Sequence, residues 1–235
     1  GDDIAHHEKM NRRFVFEYLP DESLLFFSEG NRELHSKNKK RSFQSANTFR
    51  LGVVDKKETQ LLENKSELLK IIAIGRLIEF KTYNTYMLDV IKSLVEKNIQ
   101  VQLDIYGDGP DHSKLADKIE KLKLQKYVFL KGSLEYSNFD QVVSKYDIFI
   151  GSGTSIIQAA SLGVPSIVGI ENMIKPLSYG YFSNVSQHEY NLKGLNIPLL
   201  SVEAMILDFN NLTQEERCLL KMQHILSIDN FTNHS

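Results

Sequence analysis

The sequence carries a single cysteine in 235 residues. One thiol cannot build an internal disulfide framework or a zinc site made of several cysteines, and it points to a reducing, cytoplasmic setting. That residue, Cys218, lies in Glu215-Glu216-Arg217-Cys218-Leu219-Leu220, a helical pattern in which a half-buried thiol is favoured over a nucleophile. No apolar run approaches the roughly 20 residues that span a bilayer. The acidic opening Gly1-Asp2-Asp3 is not a secretory signal. Basic excess is missing too: 28 Lys and Arg face 30 Asp and Glu, a formal net charge of -2. This argues against a dedicated nucleic-acid binder and leaves the lysines as solvated surface. An initiator methionine is also lacking, which suggests a fragment that begins inside a longer protein. What is present suffices for a packed core: 42% of residues are hydrophobic, in a length that holds one to two domains.

The first part of the chain is irregular in rhythm. Residues 2–19 are expected to be helical, Leu24-Leu25-Phe26-Phe27 a buried strand, residues 30–44 a polar helix and Phe49–Val54 another strand. Residues 55–67 are charged and lack a core pattern, which makes them the linker candidate. From Leu69 the pattern becomes regular. Strands are expected at Leu69–Ile74, Val101–Tyr106, Val128–Leu130, Asp147–Ile150 and Ser166–Ile170, and helices at 82–97, 111–123, 137–145 and 154–162. Near-continuous apolar strands alternating with helices predict an α/β fold, a doubly wound parallel sheet covered on both faces. Ligands bind such sheets at the carboxyl ends of the strands.

The loops at those ends are therefore the candidate site. The first, Gly75-Arg76-Leu77-Ile78-Glu79-Phe80-Lys81, places two cations just after the first strand. Arg76 offers a planar fork for phosphate and Lys81 a compact charge. The second, Gly107-Asp108-Gly109-Pro110, lets backbone pass close to a ligand and ends in a proline suited to a helix start. The third is Lys131-Gly132-Ser133-Leu134. The fourth, Gly151-Ser152-Gly153-Thr154-Ser155, runs straight into a helix, where unpaired N–H groups and the positive dipole end favour an anion. Thr154 and Ser155 could add hydroxyl donors or cap the helix. Each loop alone also fits an ordinary turn; their order on alternating strands is what argues for a diphosphate site.

These segments resemble the GT-B glycosyltransferases of the large family 4, also called group 1. Ile72-Ala73-Ile74-Gly75-Arg76-Leu77 with Lys81 is similar to that family's Gly-Arg-Leu…Lys-Gly segment. Leu103-Asp104-Ile105-Tyr106-Gly107-Asp108-Gly109-Pro110 resembles its strand and Gly-x-Gly-Pro turn. Val128-Phe129-Leu130-Lys131-Gly132, Tyr146-Asp147-Ile148-Phe149-Ile150 and Ile157-Gln158-Ala159-Ala160-Ser161-Leu162-Gly163-Val164-Pro165-Ser166-Ile167 resemble three further family motifs, in the same order over residues 70–170. Upstream, Leu25–Glu29 and Leu51-Gly52-Val53 resemble the end of the family's acceptor-side domain. Downstream, Ile228–Thr232 resembles the segment before its final helix. The resemblance implies a chain truncated at both ends: 1–54 a partial N-terminal domain remnant, 55–67 linker, and 68–235 the Rossmann-like nucleotide-sugar-binding domain.

The resemblance also implies a chemistry: transfer of a hexosyl unit, with retention, from a UDP- or GDP-linked donor to a glycan or lipid-linked acceptor in surface polysaccharide biosynthesis. It implies no cofactor and no obligatory metal. Arg76 and Lys81 would neutralise the leaving diphosphate. Gly75, Gly107, Gly109, Gly153, Thr154 and Ser155 would form the phosphate cradle, and Ser133 and Leu134 the base contact. Gln158 would hold the ribose, in place of a family glutamate. The family's other glutamate in this region has no counterpart, and Glu171 could substitute on the ribose. Thr82 stands where the family commonly has glycine. Implied partners are the nucleotide sugar, the acceptor and the missing N-terminal domain, without nucleic acid, at a cytoplasmic location compatible with peripheral contact at the inner membrane face. A fragment alone would bind nucleotide without turnover. The alternative is a non-catalytic or truncated nucleotide-sugar-binding module, which Gln158 favours. A dinucleotide oxidoreductase is disfavoured, because no Gly-x-Gly-x-x-Gly follows the first strand. His6 and His7 are read as surface, and Tyr179-Gly180-Tyr181-Phe182 as core rather than acceptor contact.

Overall fold

Successive residues along the strands of the second half face opposite sides of the sheet and serve different cores. A computed structural model describes residues 14–26, 29–48, 54, 67–188 and 190–231. These fall into two compact units, residues 14–48 and the remainder. The linker candidate, apart from Glu67, lies outside the described residues, as do His6 and His7.

In the first unit, strand β1 (Leu25–Phe26) pairs in parallel with β2 (Asn47–Thr48), and helix α1 (Glu29–Lys39) connects them. Leu24, Phe26, Phe43 and Ala46 form its small core. Arg41 reaches Asp21 at 2.6 Å and stacks over the Phe43 ring. The expected polar helix is therefore shorter than 30–44: Lys40, in a left-handed conformation, ends it, and Phe43 turns into the core. The described pairing strand is Asn47–Thr48; the strand expected at Phe49–Val54 lies, apart from Val54, outside the described residues. Of the helix expected at 2–19, only Phe14–Tyr18 is described, as a π-helical turn.

The second unit holds β3 (Leu69–Ile74), α2 (Tyr83–Glu96), β4 (Val101–Tyr106), α3 (His112–Lys121), β5 (Val128–Gly132), α4 (Phe139–Val143), β6 (Ile148–Gly151), α5 (Thr154–Ser161) and β7 (Ser166–Val168). The sheet is parallel throughout, in the order β5-β4-β3-β6-β7. Ile71, Ala73, Leu103, Ile105, Ile148 and Ile150 face one core with α2, whereas Ile72, Phe149 and Val168 face the other with α5. This two-sided burial is what the continuous apolar runs predicted. The last strand stops at Val168, short of Ile170, as Gly169 sends its N–H back to the Gly151 carbonyl.

Beyond residue 170 the sequence analysis placed no strands. The structure adds an antiparallel pair, β8 (Leu177–Ser178) with β9 (Leu200–Ser201), and helices α6 (Phe182–Val185), α7 (Val202–Asn211) and α8 (Gln214–Ser227). Tyr179 and Phe182 are core residues, as expected. Cys218 sits half-buried on α8. That helix starts in a reciprocal cap: Thr213 Oγ1 accepts from the Glu216 N–H, and the Glu216 carboxylate accepts from the Thr213 N–H.

Helix α8 is tied to the sheet by His224, which is fully buried. Its Nε2 accepts the Ser166 N–H at 2.9 Å, so Nδ1 carries the proton and donates to the Leu220 carbonyl at 2.8 Å. Burial pushes the imidazole down from 6.5 to about 4, against the raising effect of its hydrogen bond to the Leu220 carbonyl. Between those values the unfolded chain takes up a proton that the folded one refuses. Stability is therefore lost as pH falls through this window, by up to about 3 kcal/mol. Urea unfolding of the wild type should weaken more steeply from about pH 7 to about pH 4 than that of His224→Gln, whose Oε1 can still accept the Ser166 N–H. Parallel curves would contradict this assignment.

Candidate functional site

The chain runs outward from β3 to β4 and β5, then returns to the other side of β3 as β6. The loops after β3 and β6 therefore diverge and leave a crevice at their carboxyl ends, the place where doubly wound sheets bind ligands. Gly75–Lys81 forms one bank and Gly151–Ser155 the other.

The first bank is locked backbone to backbone. Gly75 donates to the Tyr106 carbonyl at 3.0 Å, and Gly107 donates to the Gly132 carbonyl at 2.8 Å. Leu77 exchanges hydrogen bonds with the next loop, donating to Asp108 and accepting from Asp111. A Cβ on Gly107 would lie 1.9 Å from the Gly75 carbonyl oxygen, and one on Gly109 would lie 2.3 Å from that of Leu77. The glycines of the second loop thus let neighbouring loops interlock. The close approach is to protein backbone, where the sequence suggested a ligand.

Lys81 folds back over this bank, with Nζ 2.7 Å from the position a Gly75 Cβ would occupy. Burial lowers its pKa most; the Glu171 carboxylate opposes this and the Arg76 guanidinium adds to it. Loops 76–82 and 170–173 are stitched together, as Asn172 donates to the Phe80 carbonyl and Thr82 Oγ1 to the Met173 carbonyl, both at 2.7 Å. The threonine at the family's glycine position thus braces the loop that carries Glu171. Among the described residues neither Arg76 nor Lys81 makes an ion pair. Glu171 acts on Lys81 more strongly than Arg76 does, so its carboxylate offsets part of the positive charge that the pair brings to this bank.

The second bank is built from side chains. Helix α5 is preceded by Gly153 at φ +70°, with no heavy atom within 4 Å of its Cβ position and no side-chain cap. Its N–H is taken by Asn191 Oδ1 at 2.8 Å. The Ser155 hydroxyl faces the Ile74 and Ser152 carbonyls at 3.2 Å each, so it ties the helix start to β3 rather than facing solvent. Of Ser155 itself, the backbone N–H is what is left to serve an anion. Thr154 is exposed. Ser152, buried, donates to Glu171 at 3.1 Å and lies 3.5 Å from the Tyr83 hydroxyl, whose pKa burial pushes up. Glu171 thus stands beside Lys81 and Ser152.

On the far side, the Ser133 hydroxyl donates to the Asp108 carboxylate, bridging the second and third loops. Lys131 turns to the buried Asp104 at 3.6 Å and to the Phe129 ring. Leu134 is half-buried against the second core. Gln158 is nearly buried, and its Nε2 donates to the Tyr136 hydroxyl at 2.7 Å. Asn191, Ser152, Tyr83 and Tyr136 were not singled out from the sequence; Asn191, in a loop without periodicity, left no signal there. Among the described residues no group of three or more His, Cys, Asp or Glu could hold a metal, and no helix is long and apolar enough to cross a membrane.

A doubly wound sheet with a glycine-banked crevice at its switch point is the ligand-binding architecture of an open α/β sheet. The chain belongs to the glycosyl transferases group 1 family, which it matches over residues 54–186. It is 31% identical over 154 residues to a poly(glycerol-phosphate) alpha-glucosyltransferase of Bacillus subtilis, covering 60% of this chain and 22% of that protein. It is 30% identical over 118 residues to the GtfA subunit of a UDP-N-acetylglucosamine–peptide N-acetylglucosaminyltransferase of Streptococcus agalactiae, covering 46% of this chain and 21% of that protein. The chain thus spans about a fifth of the length of these curated relatives. Among solved structures, Staphylococcus aureus TarM in a complex that includes UDP superposes with a TM-score of 0.69 at 19% identity, covering 94% of this chain and 43% of that one. The pneumococcal O-GlcNAc transferase GtfA, with UDP and GlcNAc, gives 0.58 at 18% identity, covering 88% of this chain and 41% of that one. These superpositions establish the GT-B fold.

Proposed function

We propose that this chain holds the nucleotide-sugar donor of a retaining hexosyltransferase that acts on a glycan or lipid-linked acceptor in surface polysaccharide biosynthesis. The observation that carries the proposal is the pair Arg76 and Lys81, free of ion pairs among the described residues, beside the open start of α5. As the sugar leaves, negative charge grows on the diphosphate. Fixed cations already placed there stabilise it without reorganisation. Uracil is favoured over guanine as the base, because two structural relatives hold UDP. Gly75, Gly107 and Gly109 shape the phosphate bank, and Gly153, Thr154 and Ser155 face it. Ser133 and Leu134 lie where the base would rest, and Gln158 where the ribose would. Residues 1–54 are assigned to the acceptor side, 55–67 to a linker and 68–235 to the donor domain.

The test is a transfer assay on the full-length protein with a panel of UDP- and GDP-sugars, together with calorimetry of UDP on this chain. Turnover by the full-length protein, with UDP binding but no turnover by the chain alone, is the expected result. Absence of both UDP and GDP binding would sink the proposal. A second reading, a binding module without turnover, draws on one observation: Gln158 supplies no charge, and its amide is engaged by Tyr136. Nucleotide binding by a full-length protein that turns over no donor would establish that second reading.

A further inference from the structure

We propose that Asn191 is a further donor-binding residue, its side-chain NH2 donating to the distal phosphate of the bound nucleotide diphosphate. This rests on the diphosphate reading above and adds one residue to that site. The backbone N–H of Gly153, the residue before α5, is spent on Asn191 Oδ1 at 2.8 Å. The Asn191 main chain is held as well, because its carbonyl accepts the Glu171 N–H at 2.8 Å. The neighbouring Tyr190 hydroxyl closes the second contact to Gly153, donating to its carbonyl at 3.4 Å. A carboxamide whose oxygen and backbone are both fixed has no freedom to flip. Its nitrogen, with two N–H donors, makes no hydrogen bond among the described residues, and the residue is half-buried. Space is free beside it, since a Cβ on Gly153 would meet nothing within 4 Å.

The side chain therefore acts as an extension. One backbone donor is consumed, and the amide that consumes it carries two donors of its own. Arg76 and Lys81 attract the anion by charge; a neutral amide adds direction without adding repulsion to that pair. The residue belongs to the stretch between α6 and β9, well outside the family motifs, which explains why it carries no motif.

The experiment compares UDP and uridine binding by calorimetry for the wild type, Asn191→Asp, Asn191→Ala and Arg76→Ala, with a melting curve for each. Asn191→Asp keeps an oxygen for the Gly153 N–H but replaces the donors by a negative charge. It should melt within about 2 °C of wild type, bind UDP at least roughly tenfold more weakly and leave uridine within about twofold. Asn191→Ala should lose UDP affinity to a smaller extent. Unchanged UDP binding in both variants overturns the proposal. So does tighter binding, which would make Asn191 a plug over Gly153, and so does equal loss of UDP and uridine, which would make it merely structural. Arg76→Ala separates the two layers. If it leaves the UDP-to-uridine ratio intact, the diphosphate reading itself fails. If it collapses that ratio while Asn191→Asp does not, only the role of Asn191 fails.

Discussion

Arg76→Ala and Lys81→Ala should each weaken UDP binding by roughly ten- to a hundredfold while leaving uridine within about twofold. Charge-assisted hydrogen bonds are worth about 1.5–3 kcal/mol, and about 1.4 kcal/mol is one decade in Kd. Both residues follow β3 at the carboxyl end of the sheet, and neither spends its charge on an ion pair among the described residues, so little of this is offset by a lost ion pair. The losses should not add in the double variant, because the two cations already repel each other. Lys81 has a further signature. Burial, and secondarily Arg76, lower its pKa, while Glu171 holds it up. The anion needs the ammonium form, so UDP affinity should decline on the alkaline side as pH rises through that lowered value. Lys81→Arg should flatten the decline, since a guanidinium stays charged. Calorimetry across pH measures both effects; equal losses of UDP and uridine would contradict a phosphate role.

Gly107→Ala should be the most damaging small substitution in the molecule. Its Cβ would stand 1.9 Å from the Gly75 carbonyl oxygen, at a φ of +145° that side chains avoid. Backbone on both sides leaves no flexible group to yield. We expect a loss above about 4 kcal/mol, the range reserved for a disrupted core, and a melting temperature lower by roughly 10 °C or more. Gly132→Ala is the control: it too has a positive φ, +69°, but nothing within 4 Å, and should cost only about 1–2 kcal/mol. Comparable melting curves for the two variants would show that the first and second loops do not interlock.

The sheet was legible because its information is local. Leu69–Ile74 and Val101–Tyr106 are continuous apolar runs, and the strands occupy those same residues. The helix at 154–162 was readable from its small apolar residues and the Gly163-Val164-Pro165 that follows. The antiparallel pair of β8 and β9 was not, since two-residue strands far apart in sequence have no period. Helix α7 shows buried Val202, Met205, Ile206 and Phe209 at helical spacing, a signal that was present and not used. At the site, the residue types were visible and their commitments were not. Ser155 reads as a free hydroxyl until Ile74 and Ser152 are found opposite it. Gly153 reads as a free donor until Asn191 is found to occupy it. The bonds to Ile74 and Asn191 join residues tens of positions apart, and only the fold brings them together.

The two sides of the crevice differ in stiffness, and that difference assigns them different tasks. One wall is main chain clasped to main chain, with no rotatable bond to adjust, so it suits the invariant part of any donor. The other hangs on the side chains of Ser152, Ser155, Tyr190 and Asn191, hydrogen bonds that a single substitution can release. Accommodation of sugars of different size would therefore fall on that yielding wall, and a change of donor preference would begin with substitutions there.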